Sequence, residues 1–411
     1  MLSRNDELIP HLFRTEFRKI VSVLANVFGL QHIEVAEDIT SDTFLLAAET
    51  WGKKGIPENP TAWLCTVAKN KTKDYLKRNQ IFQQKVTTAL QRTTEQLTEM
   101  EIDLTPENIM DSQLQMMFAL CHPSIPVESQ IGLSLRILCG FGIDEIADAF
   151  LSNKETINKR LFRAKEKLRE ENVSMDFPTE VELEKRLYAV VTTLYLLFNE
   201  GYYSASQNTS LRKDLCLEAL RLTYLLTAHK TTNQPFVNAL IALMCFHSSR
   251  FEARINAEGE LILYEEQDRS LWNKELIEKG EEYLNRSATG ERITKFHLEA
   301  AIAYWHTQTE NHHEKWSNIL QLYNQLLQLE YSPAAALNRT YALAKANGYA
   351  NAINEALKLK LENNHLYFSL LGELYKEVNP TKAAEYFSIA IKKAKTEKDK
   401  LLLQRKMNEC K

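Results

Sequence analysis

Apolar residues recur every three or four positions along most of the chain, which is the spacing of one face of an α-helix. Near the N-terminus this spacing predicts three helices, with apolar faces over residues 12–27, 35–48 and 63–76. The third begins at Pro60, and proline fits the first turn of a helix. We therefore expect a helical first module over residues 1–80.

A second helical module is predicted over residues 112–173. Apolar spacing around Leu135 indicates one helix, and a glycine turn leads into another over residues 143–150. After a short turn that ends at Asn153, a basic helix is expected from about Lys154 to Glu170. Two short helices, a three-residue turn and a capping Asn are the pattern of a helix-turn-helix.

The rest of the chain, which we call the extension, is predicted to form long amphipathic helices. Leu337 and Tyr341 recur 34 residues later as Leu371 and Tyr375, and small residues follow each pair. This period is typical of tetratricopeptide (TPR) repeats, in which small residues let paired helices approach closely. We expect a helical domain over residues 180–290 and TPR-like helical repeats over 291–411.

Composition supports the all-α expectation and argues against a β-rich, disulfide-bonded or membrane protein. The 411 residues include 12 Gly and 10 Pro, few for a β-rich chain, because sheets need frequent turns. The six cysteines are scattered without a CxxC pair, so we expect reduced core residues. Charged residues precede any apolar run, and the longest apolar stretch is 187–198, so we expect a cytoplasmic protein outside the membrane.

Charge is distributed in blocks although the formal net charge is only -4. Residues 62–92 carry seven basic side chains and one acidic one, and residues 154–169 carry seven basic and two acidic. Between them, residues 93–111 carry six acidic side chains and no basic one, as in a solvated linker over 81–111. A nucleic-acid role would therefore depend on local patches rather than on bulk charge.

Both basic blocks are candidates for nucleic-acid contacts. On the second block, cations at the N-terminal half of the helix suit a DNA major groove, although a solvated helix face is the alternative. In the first block basic and aromatic residues alternate, which suits single-stranded DNA, although Trp63 and Tyr75 are equally compatible with the core. These candidates are Trp63, Lys69, Asn70, Lys73, Lys77 and Arg78, and Lys154, Asn158, Lys159, Arg160 and Arg163.

Both modules resemble extracytoplasmic-function RNA polymerase sigma factors of the sigma-70 family. Segments 35–45 and 59–70 are similar to sigma regions 2.2 to 2.4, and segments 135–147 and 156–165 are similar to region 4. Residues 121–123, 195–202, 265–272 and 333–342 resemble a subgroup with a long TPR-like C-terminal extension. The resemblance covers nearly the whole chain.

This resemblance implies a transcription initiation factor and no enzyme. Region 2 would bind the polymerase clamp of the largest subunit through Glu37, Asp38 and Asp42, and region 4 would bind the flap. The loop 52–59, including Asn59, and the helix after it would hold the opened strand of promoter DNA, and Thr156 would join the region 4 contacts. The chain departs from the family at Asp42, where Glu is usual, and at residues 170–171, which are acidic.

The sequence offers no catalytic constellation, and we expect neither metal nor cofactor, since His312 and His313 diverge on a helix. Two polar clusters lie within the apolar helices of the extension. Each could form a hydrogen-bond network between helices or a ligand pocket. They are Asn199, Glu200 and Tyr202, and Gln267, Asp268 and Arg269. We expect the extension to set activity, by docking on the modules or by contacting polymerase.

Two other functions fit the pattern. A helix-turn-helix regulator with a TPR sensor would bind duplex DNA but not free polymerase core. A TPR scaffold would use its basic modules to bind protein. The first basic block distinguishes a sigma factor from these two alternatives. A regulator that only binds duplex DNA does not need a strand-opening helix next to an acidic helix that docks on polymerase.

Overall fold

The fold is entirely helical in the part of the chain that the structure describes. The computed structural model describes residues 4–86, 102–203, 209–254, 262, 264–308, 312–394 and 397–410. Every regular element in these ranges is a helix, which confirms the predicted all-α class. The chain divides into two compact units, Met1–Leu226 and Thr227–Lys411.

The first unit contains both predicted modules and the start of the extension. Its α-helices are α1 Arg4–Phe28, α2 Ile33–Lys54, α3 Pro60–Val86, α4 Pro106–Leu120, α5 Val127–Leu133, α6 Ile143–Ala149, α7 Lys154–Glu170, α8 Glu180–Tyr203 and α9 Thr209–Leu225. A 3-10 turn at Leu30–His32 precedes α2, and a π-helical turn at Ser134–Leu138 continues α5. The bounds of α7 are those that the sequence predicts.

Helix α1 lies at the centre of the first unit, where it packs against α2, α3 and α4. Its side chains Ile20, Val21 and Leu24 are almost completely buried, as are Leu114 and Phe118 of α4. Since α4 belongs to the second predicted module, the two modules share one hydrophobic core. Burial of large apolar side chains contributes about 1.5–3 kcal/mol each, so this shared core holds the modules together.

The unit boundary at residue 226 differs from the predicted start of the extension at residue 180. Helix α8 packs against α4 and α5, and α9 packs against α8 and α6. The predicted linker 81–111 is also helical at both described ends, because α3 continues to Val86 and α4 begins at Pro106. Residues 87–101 lie outside the described part. Helix α2 continues to Lys54, so the loop before α3 begins at Gly55 rather than at residue 52.

The second unit is a succession of helices that pack mainly on their sequence neighbours. Its α-helices are α10 Pro235–Ser248, α11 Phe251–Arg254, α12 Lys274–Ser287, α13 Lys295–Thr307, α14 His312–Leu329, α15 Pro333–Asn347, α16 Tyr349–Lys358, α17 His365–Lys376, α18 Pro380–Lys393 and α19 Glu397–Asn408. Two 3-10 turns, Tyr264–Glu266 and Arg269–Leu271, lie between α11 and α12.

Local sequence fixes where several helices begin. A side-chain oxygen at the N-cap accepts a hydrogen bond from a backbone N–H that the helix itself leaves unpaired. Thr105, Asn153, Asn273, Ser332, Asn364 and Asn379 cap α4, α7, α12, α15, α17 and α18 in this way. Proline stands at the first position of α4, α15 and α18, where its missing N–H costs nothing.

The cysteines are free, as the sequence predicts for a reduced protein. Cys121 and Cys139 are fully buried, and burial raises their thiol pKa values to about 11 and about 12. These thiols therefore stay protonated near neutral pH and act as small apolar core groups.

Helices α17 and α18 approach closely at Gly372, the residue after Leu371. A Cβ atom at Gly372 would lie 2.7 Å from the ring of Phe387, which is fully buried. No side chain fits in this space while the ring keeps its position. The presence of glycine at position 372 is therefore explained by helix packing.

We expect Gly372→Ala to lower the free energy of unfolding by about 2 kcal/mol, because the added methyl group overpacks a closed core. Denaturant unfolding followed by circular dichroism measures this change. Phe387→Leu in the Gly372→Ala background removes the clashing ring atoms, so the two changes together should cost less than the sum of the single changes. Strict additivity would contradict the close approach.

Candidate functional site

The exposed face of α2 carries the acidic residues that the sequence singles out. Asp38 and Asp42 are exposed, and Leu45, one turn further along, is 60% exposed. The opposite face is buried through Ile39 and Phe44. Asp42 lies 3.5 Å from the Lys71 ammonium of α3, an exposed pair of little energetic weight. The face therefore combines two available carboxylates with an exposed apolar side chain.

Glu37 does not belong to this exposed face. Its carboxylate is half-buried and lies 3.9 Å from the Lys165 ammonium of α7. Burial raises the pKa of Glu37, although the charge of Lys165 opposes the increase. Lys165 also donates a hydrogen bond to Glu34 at 3.2 Å. Of the three predicted acidic residues, the structure therefore groups Asp38 and Asp42 on one face and turns Glu37 towards α7.

The polar residues of α3 form a second exposed face. Asn70, Lys73, Lys77 and Arg78 are exposed, and Lys69 is half-buried. The first three lie three and four residues apart, so they share one side of the helix. This arrangement is open to a strand of nucleic acid.

The aromatic rings of this region lie between core and surface. Trp63 is half-buried and packs edge-on against Trp51, with ring centroids 5.3 Å apart. Tyr75 packs edge-on against Phe28 at 5.6 Å. Asn59 is exposed and accepts a hydrogen bond from the backbone N–H of Ala62, which caps α3. Both rings thus have a packing role, which is the alternative that the sequence left open.

Helix α7 separates an apolar face from a polar one. The apolar side chains Ile157, Leu161, Ala164 and Leu168 are buried. The exposed predicted residues on the other side are Lys154, Thr156, Asn158, Lys159 and Arg163. Lys154 pairs with Asp144 and Lys159 with Glu155, each at 2.6 Å between exposed groups. Arg160 is half-buried, with its guanidinium 5.4 Å from the centroid of the Phe150 ring.

Two features of α7 escaped the sequence analysis. Phe162 is 66% exposed beside Arg163, and its position outside the buried stripe would have revealed this. The C-terminal half of α7 contacts the 3-10 turn that precedes α2, since Arg169 donates to the carbonyl of Gln31 at 3.2 Å. No local signal identifies that contact, because its partners are 138 residues apart in sequence.

Helices α8 and α9 bind the second module through polar groups as well as apolar ones. Arg186 donates to the Phe118 carbonyl at 2.8 Å, and the Thr193 hydroxyl donates to the Gln130 side chain at 2.8 Å. Arg221 donates to the Leu138 carbonyl at 3.1 Å. The start of the extension is therefore bonded directly to the helices that precede α6 and α7.

The first polar cluster of the extension lies at the end of α8. Asn199 and Glu200 are half-buried, and burial raises the pKa of Glu200. Tyr202 is buried and stacks on Phe198 with centroids 5.7 Å apart. Tyr202 is thus part of the packed core of the first unit.

The second polar cluster belongs to the second unit. Gln267 is buried, and Asp268 is exposed and caps the second 3-10 turn by accepting from Ser270. Arg269 is exposed, with its guanidinium 5.9 Å from the centroid of the Trp272 ring. The two clusters therefore lie in different units, and each is part of the local structure of its own unit.

Among the described residues, no three His, Cys, Asp or Glu side chains converge in a way that could hold a metal ion. The side chains of His312 and His313 lie outside that part. Among the described helices, none combines the length and apolar content that crossing a bilayer requires.

Comparison with known proteins identifies the N-terminal helices. The family described as Sigma-70 region 2 matches residues 12–81, which contain α2 and most of α1 and α3. A family of unknown function, DUF6596, matches residues 186–288. An uncharacterized protein of Rhizobium meliloti (strain 1021) is 32% identical over 357 residues, which are 85% of this chain and 83% of that protein. No solved structure matches the chain.

The exposed acidic face of α2 and the basic face of α3 both lie within the matched region 2. The chain therefore contains a Sigma-70 region 2 domain in its N-terminal helices, and over most of its length it belongs to the same family as the uncharacterized Rhizobium protein.

Proposed function

We propose that this protein is a sigma factor that binds RNA polymerase core and directs promoter recognition and opening. The observation that carries the proposal is the region 2 domain with separate acidic and basic faces on α2 and α3. A plain DNA-binding regulator needs no acidic docking face next to a basic one. A TPR scaffold needs neither.

Core binding is assigned to Asp38 and Asp42, with Leu45 as the apolar centre of the contact. Both carboxylates are exposed and lie one turn apart, so a basic surface can meet them together. Opposite charges that face each other across an interface guide association and fix its register. Glu37 has a different role in this proposal, since it faces Lys165 within the same unit.

Promoter contacts are assigned to α3 and α7. The exposed cations of α3 would follow the phosphates of the opened strand, and those of α7 would bind duplex DNA at an upstream element as a helix-turn-helix. Asn59, Trp63 and Lys69 supplement the first set, and Arg160 supplements the second. The extracytoplasmic-function subgroup assignment rests on the sequence resemblance alone.

The extension is proposed to modulate activity, with α15–α18 as TPR-like repeats. Support comes from the contacts of α8 and α9, which bind the helices of the second module through Arg186, Thr193 and Arg221. In this proposal the closely packed modules separate when they bind two promoter elements on one DNA molecule. Interactions that favour the packed arrangement therefore oppose promoter binding.

We expect Asp38→Arg combined with Asp42→Arg to weaken binding to core polymerase at least 100-fold, because two cations would then face a basic surface. Competition with a labelled sigma factor for purified core measures this affinity. Glu377→Arg with Glu385→Arg is the matched control, since both carboxylates are exposed on the second unit and the charge change is equal. Unchanged competition by the α2 variant would show that the docking face is wrong.

We expect the basic face of α7 to affect binding to duplex DNA and the basic face of α3 to affect strand opening. Lys159→Ala with Arg163→Ala should weaken duplex binding and reduce the salt dependence by roughly one phosphate contact for each residue. Lys69→Ala with Lys73→Ala should leave duplex binding intact and impair opening, as read by permanganate footprinting. Lys274→Ala with Lys392→Ala, both exposed in the second unit, is the control. A normal bubble in the Lys69/Lys73 variant would exclude the opening role of α3.

Truncation after Leu226 should leave a folded first unit and change promoter-directed transcription several-fold. This cut keeps α8 and α9 in place, whereas truncation after residue 175 removes the partners of the Phe118 and Leu138 carbonyls. Circular dichroism and thermal unfolding check the fold, and runoff transcription measures the activity. A folded 1–226 fragment with the core affinity, promoter choice and transcript yield of the full chain would rule out modulation by the second unit.

A further inference from the structure

Cationic and aromatic side chains gather around Tyr264 in the second unit. The Lys315 ammonium lies 5.2 Å and the Arg250 guanidinium 5.4 Å from the centroid of its ring. The His306 ring packs edge-on against it at 5.0 Å, and Trp272 lies at 6.2 Å. We call this group the Tyr264 cluster. It takes residues from three separate stretches of sequence, so the fold assembles it.

Lys315 is a buried cation whose contacts are neutral. Its side chain is 4% exposed, and its ammonium donates to the Tyr264 hydroxyl and to the Gln308 carbonyl, each at 2.8 Å. An ammonium has three N–H donors, so one remains after these bonds. Burial, together with the charges of Arg269 and Arg250, lowers the pKa of Lys315 to about 8. A buried cation next to other cations is unfavourable until an anion joins it.

Within the part of the chain that the structure describes, other buried polar atoms near Tyr264 also lack a hydrogen-bond partner. Among these residues, the indole N–H of Trp272, which is only 6% exposed, finds no acceptor. His306 Nδ1 and the carbonyl oxygen of the Gln267 side chain are buried without a partner as well. Native proteins rarely leave such groups unpaired, so each one calls for an explanation. A ligand with acceptor oxygens and a hydroxyl would satisfy donor and acceptor atoms together.

The carboxylates of the same segment are committed elsewhere. Glu265 lies 2.8 Å from the Lys345 ammonium and accepts from the Tyr341 hydroxyl at 3.0 Å. Glu266 accepts two hydrogen bonds from Arg405, at 2.8 and 2.9 Å. The carboxylates thus neutralise cations of α15 and α19. They are not used by Lys315, which contacts no carboxylate among the described residues.

We propose that the Tyr264 cluster binds a small organic anion, with its carboxylate or phosphate oxygens at Lys315 and Arg269 and a flat apolar body against Tyr264 and Trp272. The anion would neutralise the charges of Lys315 and Arg269, and one of its oxygens would accept a hydrogen bond from the Trp272 N–H. A hydroxyl on its body would meet the free oxygen of Gln267. Aromatic carboxylates and phosphate esters both have this chemistry. The inference goes beyond the proposed function and does not depend on it.

The test is direct binding to the full-length chain without polymerase or DNA. Inorganic phosphate and 4-hydroxybenzoate are the two probes, titrated by calorimetry and by tryptophan fluorescence, with chloride at equal ionic strength as the reference. We expect one of them to bind with a Kd below about 10 mM. Stronger binding of phosphate indicates a phosphate ligand, and stronger binding of 4-hydroxybenzoate indicates an aromatic carboxylate. No binding of either probe beyond that of chloride would overturn the proposal.

The affinity of three variants for the probe that binds tests whether it occupies the Tyr264 cluster. Lys315→Met keeps the length of the side chain without its charge and should weaken binding at least tenfold. Arg269→Gln changes an exposed residue, and it should weaken binding about threefold even if the Lys315 variant fails to fold. Lys392→Met is the matched control, because Lys392 is an exposed lysine on α18. Wild-type affinity in the folded Lys315 or Arg269 variant would disprove the assignment.

Discussion

One carboxylate, that of Glu218, joins three distant parts of the first unit. It accepts hydrogen bonds from Arg18 of α1 at 3.1 Å and from Arg221 of α9 at 2.9 Å. Arg221 also donates to the Leu138 carbonyl, and Arg18 lies against Gly140, whose φ of +69° and close neighbour leave no place for a Cβ. Loss of Glu218 would leave the charges of both Arg18 and Arg221 without their carboxylate. The relative placement of α1, α9 and the turn before α6 depends on this group.

This interaction explains why the boundary between the units was not visible in the sequence. Composition and charge change near residue 180, and a change of that kind usually marks a domain boundary. The contacts place the boundary elsewhere, because Glu218 is bonded to a residue 200 positions earlier and Arg221 to a residue 83 positions earlier. Pairing over such distances leaves no local pattern, so only the folded chain assigns α8 and α9 to the first unit.

The sequence predicts well what depends on near neighbours. The all-α class, the bounds of α7 and its cap at Asn153 follow from apolar spacing and from local hydrogen bonding. Within the candidate site, the exposure of Asp38 and Asp42 follows from the same spacing. The position of Glu37 cannot be predicted from this spacing, because its contact with Lys165 depends on how α7 packs against α2. The Tyr264 cluster was visible in sequence only as the polar run 267–269.

In the segment around Tyr264, the acidic side chains contact one set of helices and Tyr264 contacts Lys315. This arrangement limits how a ligand at Lys315 can affect the rest of the second unit. Glu265 and Glu266 attach the segment to α15 and α19 through Lys345 and Arg405, while Tyr264 accepts from Lys315. A ligand changes a conformational equilibrium only by its difference in affinity between the states. An anion at Lys315 therefore influences α15 and α19 only if it binds one position of this segment more tightly than another. The ion pairs of Glu265 and Glu266 are the contacts through which such a preference would reach α15 and α19.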